Sequence, residues 1–391
     1  MALIFFTSLA VIAYTYLGYP LLIWAMASLR RRLTSKRDSD QVPEPMGSPP
    51  SVSVVIACHN EANAIEKRLD NLLGSRYPRD LLEIVVVSDG STDETLKLAR
   101  QYSSAKVVSA GYSDRNGKAA ALNLGVRLAV GSIVVFADAR QSFAVEAIEK
   151  LISAFDDDSV GAVSGELVLR EDVRSNVGEG AGLYWKYEKW IRKNEARFDS
   201  CVGATGAIFA IRRELWSELP TGIILDDVYT PMRIALSGHR IAFEEGAKAY
   251  DGVERSAQRE FSRKVRTLFG NYQLCQLMPK LLLPNHRLAI QFYSHKILRL
   301  IAPLFLVLLF ASNLYLCASA SGAPALYIGA FAGQIGFYLS VLAGWALSGR
   351  KINPRLLNAV FVFSLMNVAA IVGLLYFVRG KRDVWVGANR R

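Results

Sequence analysis

The chain has 391 residues, a formal net charge of +11 and 51% hydrophobic residues. That length gives room for one or two domains. The scattered Cys58, Cys201, Cys275 and Cys317 exclude a disulfide-stapled scaffold and a zinc module, because no pair has disulfide or metal-ligand spacing; they read as free thiols in a reducing compartment.

Met1 to Leu29 carries no charge. About twenty apolar residues cross a bilayer, so this run reads as a membrane span. A cleaved signal peptide is the bland alternative, but no basic region precedes the run and no small-residue cleavage site follows it. Arg30, Arg31 and Arg32 follow directly. The basic excess therefore reads as the positive-inside pattern and not as a nucleic-acid footprint. It places the N-terminus outside and residues 30–299 in the cytoplasm. Thr34 to Pro50 is polar, holds four prolines and reads as a linker.

From Val52 the chain alternates strands and helices. Strands are expected over Val52–Cys58, Glu83–Ser88, Lys106–Ser109, Ile133–Ala137 and Ser159–Leu169. Helices are expected over Glu61–Leu73 with Asn60 as N-cap, Thr92–Tyr102, Lys118–Val130 and Val145–Phe155. This βαβαβ pattern predicts an α/β, doubly wound, mostly parallel sheet. An aromatic-rich helix follows over Glu179–Arg197, then a Gly-rich turn, Gly203–Gly206, an apolar segment, Ala207–Ile211, and a helix opening at Asp226-Asp227. Between Arg259 and Tyr272, apolar residues at helical spacing are surrounded by Arg259, Arg263, Lys264 and Arg266. A basic amphipathic helix ahead of a span reads as interfacial; an ordinary surface helix is the alternative. Leu300–Gly349 and Leu356–Val378 are uncharged and give room for three more spans. Arg350, Lys351 and Arg355 flank the last run on one side and Arg379, Lys381, Arg382, Arg390 and Arg391 on the other. Both flanks cannot be cytoplasmic if that run spans once. Either the positive-inside rule fails for one flank or one hydrophobic segment is re-entrant. The expected domains are a span at 1–29, a linker at 30–50, a cytoplasmic catalytic domain at 51–255, interfacial helices at 256–298, three spans within 299–378 and a basic tail at 379–391.

The carboxyl ends of parallel strands are where an open α/β sheet binds ligands. The apolar run Ile133–Ala137 stops there at Asp138. Asp89 closes the second strand, and Glu61 lies just beyond the first. Either can accept hydrogen bonds from a ribose or a base, although Asp89-Gly90 is also an ordinary turn. Lys118 enters a helix at its N-terminus, where the dipole disfavours a cation. It is therefore expected to have an anionic partner, a diphosphate being one that lysine suits. Asp226 and Asp227 are either helix-capping acids or a general base and its neighbour. His59 reads as a packed or loop histidine.

Five elements recur in order: Ala57-Cys58-His59-Asn60-Glu61, Ser88-Asp89-Gly90-Ser91-Thr92-Asp93, Gly117-Lys118-Ala119-Ala120-Ala121-Leu122-Asn123, Phe136-Ala137-Asp138-Ala139-Arg140, and Asp226-Asp227 followed by Arg233 and Gly238. On these motifs the chain, from about Pro50 to Arg299, resembles the family 2 inverting glycosyltransferases with a GT-A fold. The likeness is strongest to membrane-embedded synthases of the hyaluronan, poly-N-acetylglucosamine and cellulose synthase kind. The resemblance implies that Glu61 and Asp89 hold the nucleoside, Lys118 contacts the donor, Asp138 is a metal ligand, and Asp227 is the general base with Asp226 near the acceptor. It implies Mg²⁺ or Mn²⁺ as cofactor, a UDP-sugar as donor, a growing polysaccharide as acceptor with export, and a bacterial inner membrane as location.

Two departures stand out. The second aspartate of the family's Asp-x-Asp is Arg140, and a guanidinium cannot ligate a cation. Arg140 therefore weakens the metal site or partly replaces its charge. Arg263 and Arg266 keep the two cations of the processive enzymes' motif, but its tryptophan is Thr267. That loss of a sugar-stacking surface keeps a second product in view, a single sugar on a lipid-linked acceptor. A third reading, an inactive nucleotide-sugar sensor or scaffold, rests on Arg140 alone. Membrane lipid is an expected partner, and nucleic acid is not.

Overall fold

The computed structural model describes residues 1–34, 48–170, 176–252, 257–319, 324–347 and 354–380. Helix α1 (Ala2–Ala13) widens into a π-helical turn, Tyr14–Gly18, and continues as α2 (Tyr19–Thr34). Strand β1 (Val52–Cys58), α3 (Ala62–Leu73), β2 (Leu82–Asp89), α4 (Thr95–Arg100), β3 (Val107–Tyr112), α5 (Lys118–Leu128), β4 (Ile133–Ala137), β5 (Ser142–Phe143) and α6 (Ala147–Ser153) follow. Next come β6 (Val160–Arg170), α7 (Asn176–Phe198), β7 (Ile208–Arg212), α8 (Asp226–Leu236), β8 (Arg240–Gly252) and α9 (Ala257–Leu277). The chain then runs through α10 (Ala289–Phe292), a second π-helical turn (Tyr293–Ile297), α11 (Leu298–Ser319), α12 (Ala325–Leu347) and α13 (Arg355–Val378). Contacts divide it into two compact units, Ala27–Arg170 with Arg192–Gly252, and Met1–Met26 with Glu171–Ile191 and Val253–Arg391.

The first unit holds one eight-stranded sheet in the order β3-β2-β1-β4-β7-β6-β8-β5. Strands β3, β2, β1 and β4 are parallel neighbours. Strand β7 runs antiparallel between β4 and β6. Val54, Val55, Ile56, Val85, Val86, Val87, Val134 and Val135 have no measurable exposure or at most 1%. Continuous apolar runs of this kind form strands because both faces of a parallel sheet are covered. Phe136 stacks on Phe209 of the neighbouring strand at 4.5 Å and on Trp216 at 5.3 Å. Burying an aromatic ring of this size contributes about 1.5–3 kcal/mol, and here it anchors the strand whose next polar residue is Asp138. The chain order reverses between β1 and β4, so the crevice of a doubly wound sheet opens at their carboxyl ends.

Three local expectations change. Asn60 is not an N-cap: it sits at φ 54° in the left-handed region, and its Oδ1 accepts from the Thr92 N–H at 2.8 Å. Glu61 takes the N-cap position. The helix expected from Thr92 starts at Thr95, because Asp93 holds the Thr95 N–H at 3.0 Å in a preceding turn. Strand β8 had no counterpart in the sequence reading. Its Glu244-Glu245-Gly246 centre lacks β-formers, and pairing with β6 across a register shift at Ser164/Glu166 supplies what propensity does not.

Among the described residues, four helices are long and apolar enough to cross a membrane: Ala2–Leu33, Ala289–Ser319, Ala325–Leu347 and Leu356–Val378. The second of these helices starts upstream of Leu300, carrying His295, Lys296 and Arg299 in its first turns. Helix α9 is amphipathic as expected, but its apolar stripe is taken up by α13. Phe269 and Tyr272 lie against the Phe377 ring at 5.8 Å and 6.0 Å. A Cβ on Gly373 would sit 3.0 Å from the Phe269 backbone nitrogen, the close helix approach that small residues permit. The linker core, Arg350, Lys351 and the basic tail from Lys381 onward lie outside the described residues.

A charged cluster is buried in the second unit. Glu188 of α7 is 8% exposed. It accepts from His295 Nε2–H at 3.0 Å and from Arg299 Nη1–H. Burial alone would raise the Glu188 carboxyl, but Arg299 and then His295 outweigh it and hold the group well below the usual carboxylate range. A carboxyl lowered by folding stabilises fully above its unfolded pKa of about 4.3 and loses that contribution as pH falls through the folded value. Glu188→Gln should cost about 3–5 kcal/mol, since it leaves the Arg299 guanidinium buried without its carboxylate. Thermal unfolding in detergent should show the loss at neutral pH, and the gap to the wild type should narrow below about pH 4.

Candidate active site

Lys118 is the first residue of α5, behind a Gly117 at φ 91°. Its ammonium lies 3.4 Å from Asp138 Oδ1 and 3.3 Å from Asp226 Oδ2. Burial would lower the Lys118 pKa; Asp138, then Asp226 and Asp227, outweigh it and raise the group well above the ordinary lysine range. The anionic partner expected for a lysine at a helix N-terminus is thus a pair of carboxylates. One comes from the end of β4 and the other from the first turn of α8, where the dipole favours acids.

Asp227 is fixed by the Gly203–Gly206 turn. Its Oδ2 accepts from the Gly206 N–H at 3.0 Å, and its carbonyl accepts from the Ala204 N–H at 2.7 Å. A Cβ on Gly206 would stand 2.9 Å from Asp227 Oδ2, so only glycine permits this approach. The turn is itself held from beneath. Thr205 N–H donates to Ser164 Oγ at 3.0 Å, and Arg192 Nη1–H donates to Thr205 Oγ1 at 2.8 Å.

Asp89 and Glu61 stand on adjacent strand ends, but their carboxylates are engaged. Asp89 is 4% exposed. Its Oδ1 accepts from Asn116 N–H at 2.7 Å and its Oδ2 from Gly117 N–H at 2.9 Å. It thereby holds the loop that delivers Lys118. Gly90, at φ 62°, lets that loop pass, since a Cβ there would lie 2.5 Å from the Arg115 nitrogen. Glu61 is paired with Arg140 Nε at 2.8 Å. Arg140 rises above its ordinary value, first through this hydrogen bond.

Arg263 and Arg266 lie on α9 in the other compact unit, where Arg263 is paired with Glu260 at 2.5 Å. Among the described residues, no group of three or more His, Cys, Asp or Glu side chains could hold a metal. The donor set at Asp138 is a single protein carboxylate, its side chain 38% exposed, beside a lysine. That suits a hard cation which takes its other oxygens from phosphate and water.

Residues 53–219 match the family model described as Glycosyl transferase family 2. The chain carries a glycosyl transferase family 2 domain. It is 34% identical over 203 residues to the beta-monoglucosyldiacylglycerol synthase of a Nostoc species, a match covering 49% of this chain and 43% of that protein. It is 25% identical over 232 residues to the poly-beta-1,6-N-acetyl-D-glucosamine synthase of Staphylococcus aureus, covering 57% of this chain and 55% of that protein. The chain thus spans about half the length of these relatives. A solved structure, the mannosyltransferase PcManGT from Pyrobaculum calidifontis in complex with GDP-Man and Mn²⁺, superposes with a TM-score of 0.71 at 24% identity, covering 97% of this chain and 99% of that one. The likeness shows a shared fold, and the sheet of the glycosyltransferase domain is of the GT-A type.

The geometry of the glycosyltransferase domain also assigns positions to residues that sequence reasoning passed over. Ser164, Arg192 and Asp93 buttress the turns around the site, and Asp93 Oδ2 accepts the Ala62 N–H at 3.1 Å. Ser164 and Arg192 carry no local signal, because their partner Thr205 lies 41 and 13 residues away; Asp93 also holds Thr95, two residues on. Asp89→Ala should cost about 1.5–3 kcal/mol, the usual worth of hydrogen bonds to a charged acceptor. Amide hydrogen exchange should rise at Asn116 and Gly117 first, ahead of the strand core.

Proposed function

We propose that this protein is a membrane-bound inverting glycosyltransferase that moves a sugar from a nucleoside-diphosphate sugar to an acceptor hydroxyl. One observation carries the reading. Lys118 is held between Asp138 and Asp226 at the carboxyl edge of the parallel strands, and Asp227 is fixed next to them by the Gly206 N–H.

In this reading Asp227 takes the proton from the acceptor hydroxyl. The hydroxyl oxygen attacks the anomeric carbon in line, the bond from that carbon to the diphosphate breaks, and the configuration inverts. Lys118, preset among carboxylates, offsets the charge on the departing diphosphate. Asp138 would hold Mg²⁺ or Mn²⁺ with donor phosphate oxygens, and a cation so bound would supply further charge neutralisation. Support for a divalent ion comes from this donor set and from the Mn²⁺ in the mannosyltransferase of the same fold. Arg140, locked to Glu61, brings a fixed positive charge to the position where the family's second aspartate would stand. Roles for Glu61 and Asp89 toward the nucleoside, and for Arg263 and Arg266 toward the diphosphate, rest on the family resemblance.

The acceptor we favour is a growing polysaccharide, with synthesis on the cytoplasmic side of a bacterial inner membrane. The basic Arg30–Arg32 cluster and the poly-N-acetylglucosamine synthase relative support this. Thr267 supports a second reading, single transfer to a lipid-linked acceptor. Its Oγ1 is turned back onto the Arg263 carbonyl at 3.0 Å, so it offers no stacking face to a sugar chain, and another relative is named for a glucosyldiacylglycerol product.

Membranes containing the protein should transfer label from one member of a panel of UDP- and GDP-sugars, with Mg²⁺ or Mn²⁺ increasing the rate. Asp227→Asn should lower kcat by about 10²–10⁴, the usual worth of a general base, with nucleotide affinity retained. Gly206→Ala should lower kcat in the same direction, because its Cβ displaces the Asp227 carboxylate. Sizing the product on a gel separates the acceptors: a long ladder supports polymer synthesis, and a single lipid-extractable species supports single transfer. Nucleotide binding without transfer from any donor would overturn both in favour of a sensor.

A further inference from the structure

Arg68 lies on α3 among Ile65, Leu69 and Leu72, and it is 2% exposed. A guanidinium in such a place is costly, and an apolar side chain of similar volume would pack there at least as well. Its local bonding does not compensate it fully. Nη1–H donates to Asn71 Oδ1 at 2.8 Å, while Nε and Nη2 have no hydrogen-bond partner. The guanidinium carbon lies 4.0 Å from the centre of the Phe143 ring. Asn71 in turn brackets the Phe143 backbone: its Oδ1 accepts the Phe143 N–H at 2.7 Å, and its Nδ2–H donates to the Phe143 carbonyl at 3.0 Å.

Phe143 ends the segment that begins at Asp138. Strand β4 holds the near end of that segment, and the Arg68–Asn71 pair holds the far end. Between them, Arg140 is tied to Glu61 and Gln141 to Asp251 at 2.9 Å. We infer that Arg68 is a positioning residue for Asp138: with Asn71 it clamps Phe143 and so sets the backbone on which the Asp138 carboxylate is presented to the donor. Burial lowers Arg68 to about 9, and the Asp138 carboxylate acts in the opposite direction. The guanidinium thus stays charged at neutral pH, as a donor to Asn71 requires. The inference rests on the proposed role of Asp138 in the donor site.

The test uses the full-length protein in detergent, with Arg68→Met, Asn71→Ala and the double variant. Amide exchange at Ser142 and Phe143 should rise about tenfold in each single variant, the loss of roughly one net hydrogen bond. Exchange in β1 and β2 should stay as in the wild type. Donor KM should rise by about the same factor, with kcat changed less, and the double variant should be no worse than either single one, as for two parts of one clamp. Asn71→Ala keeps the inference testable if Arg68→Met does not fold. Unchanged exchange at Phe143, additive losses in the double variant, or a loss that only tracks global unfolding would each overturn it. If the wild type transfers no sugar at all, the proposed activity fails. UDP and GDP affinity then replaces KM, and the exchange measurement still decides the clamp.

Discussion

The site of the glycosyltransferase domain depends on one lysine at the wrong end of a helix. Lys118 sits where the α5 dipole repels a cation, and it stays there because Asp138 and Asp226 face it from two other elements. The arrangement draws together the end of β4, the start of α5 and the start of α8, which are distant in sequence. It also stores an ammonium group at the carboxyl edge of the sheet in the charged form that a diphosphate would meet. The two carboxylates repel one another, and the ammonium between them offsets that repulsion.

Around this pair of contacts the chain spends its backbone hydrogen bonds on loop placement. Asp89 holds the Asn116–Gly117 turn that launches Lys118. The Gly206 N–H holds Asp227, and Asn71 holds Phe143 beyond Asp138. Each device is a polar group meeting an otherwise unpaired backbone donor, which a buried loop must provide. Two of them also need glycine. At Gly90 the backbone passes too close for a Cβ, and at Gly206 the carboxylate does. Positioning in this domain is therefore carried by buried side-chain-to-backbone bonds more than by packing alone.

The helical unit follows another logic. Its long apolar helices are legible as uncharged runs of the length and composition that a bilayer requires. Its interior is less uniform than those runs suggest. Glu188, His295 and Arg299 make a buried charged cluster, and Tyr14 at one π-helical turn meets Ser294 at the other through a 2.9 Å hydrogen bond. Polar groups deep in a helix bundle satisfy one another because water is not at hand.

The amino-acid sequence by itself determined the parallel sheet, the four apolar helices and the identities of the acids at the strand ends. These follow from local rules: apolar runs of strand length, uncharged runs of bilayer length, and a carboxylate where a run stops. Tertiary structure decided what each acid does. Asp89 looks from sequence like an open ligand for a nucleoside, yet its oxygens are engaged by a loop 27 and 28 residues away. Arg68 shares the apolar face of α3 with Ile65, Leu69 and Leu72, and only the packing places its guanidinium against Phe143. Strand β8, poor in β-formers, exists because β6 pairs with it. Propensity and periodicity act over a few residues. The bonds that set a carboxylate's partner act across the fold, and only the register of strands and helices brings those partners together.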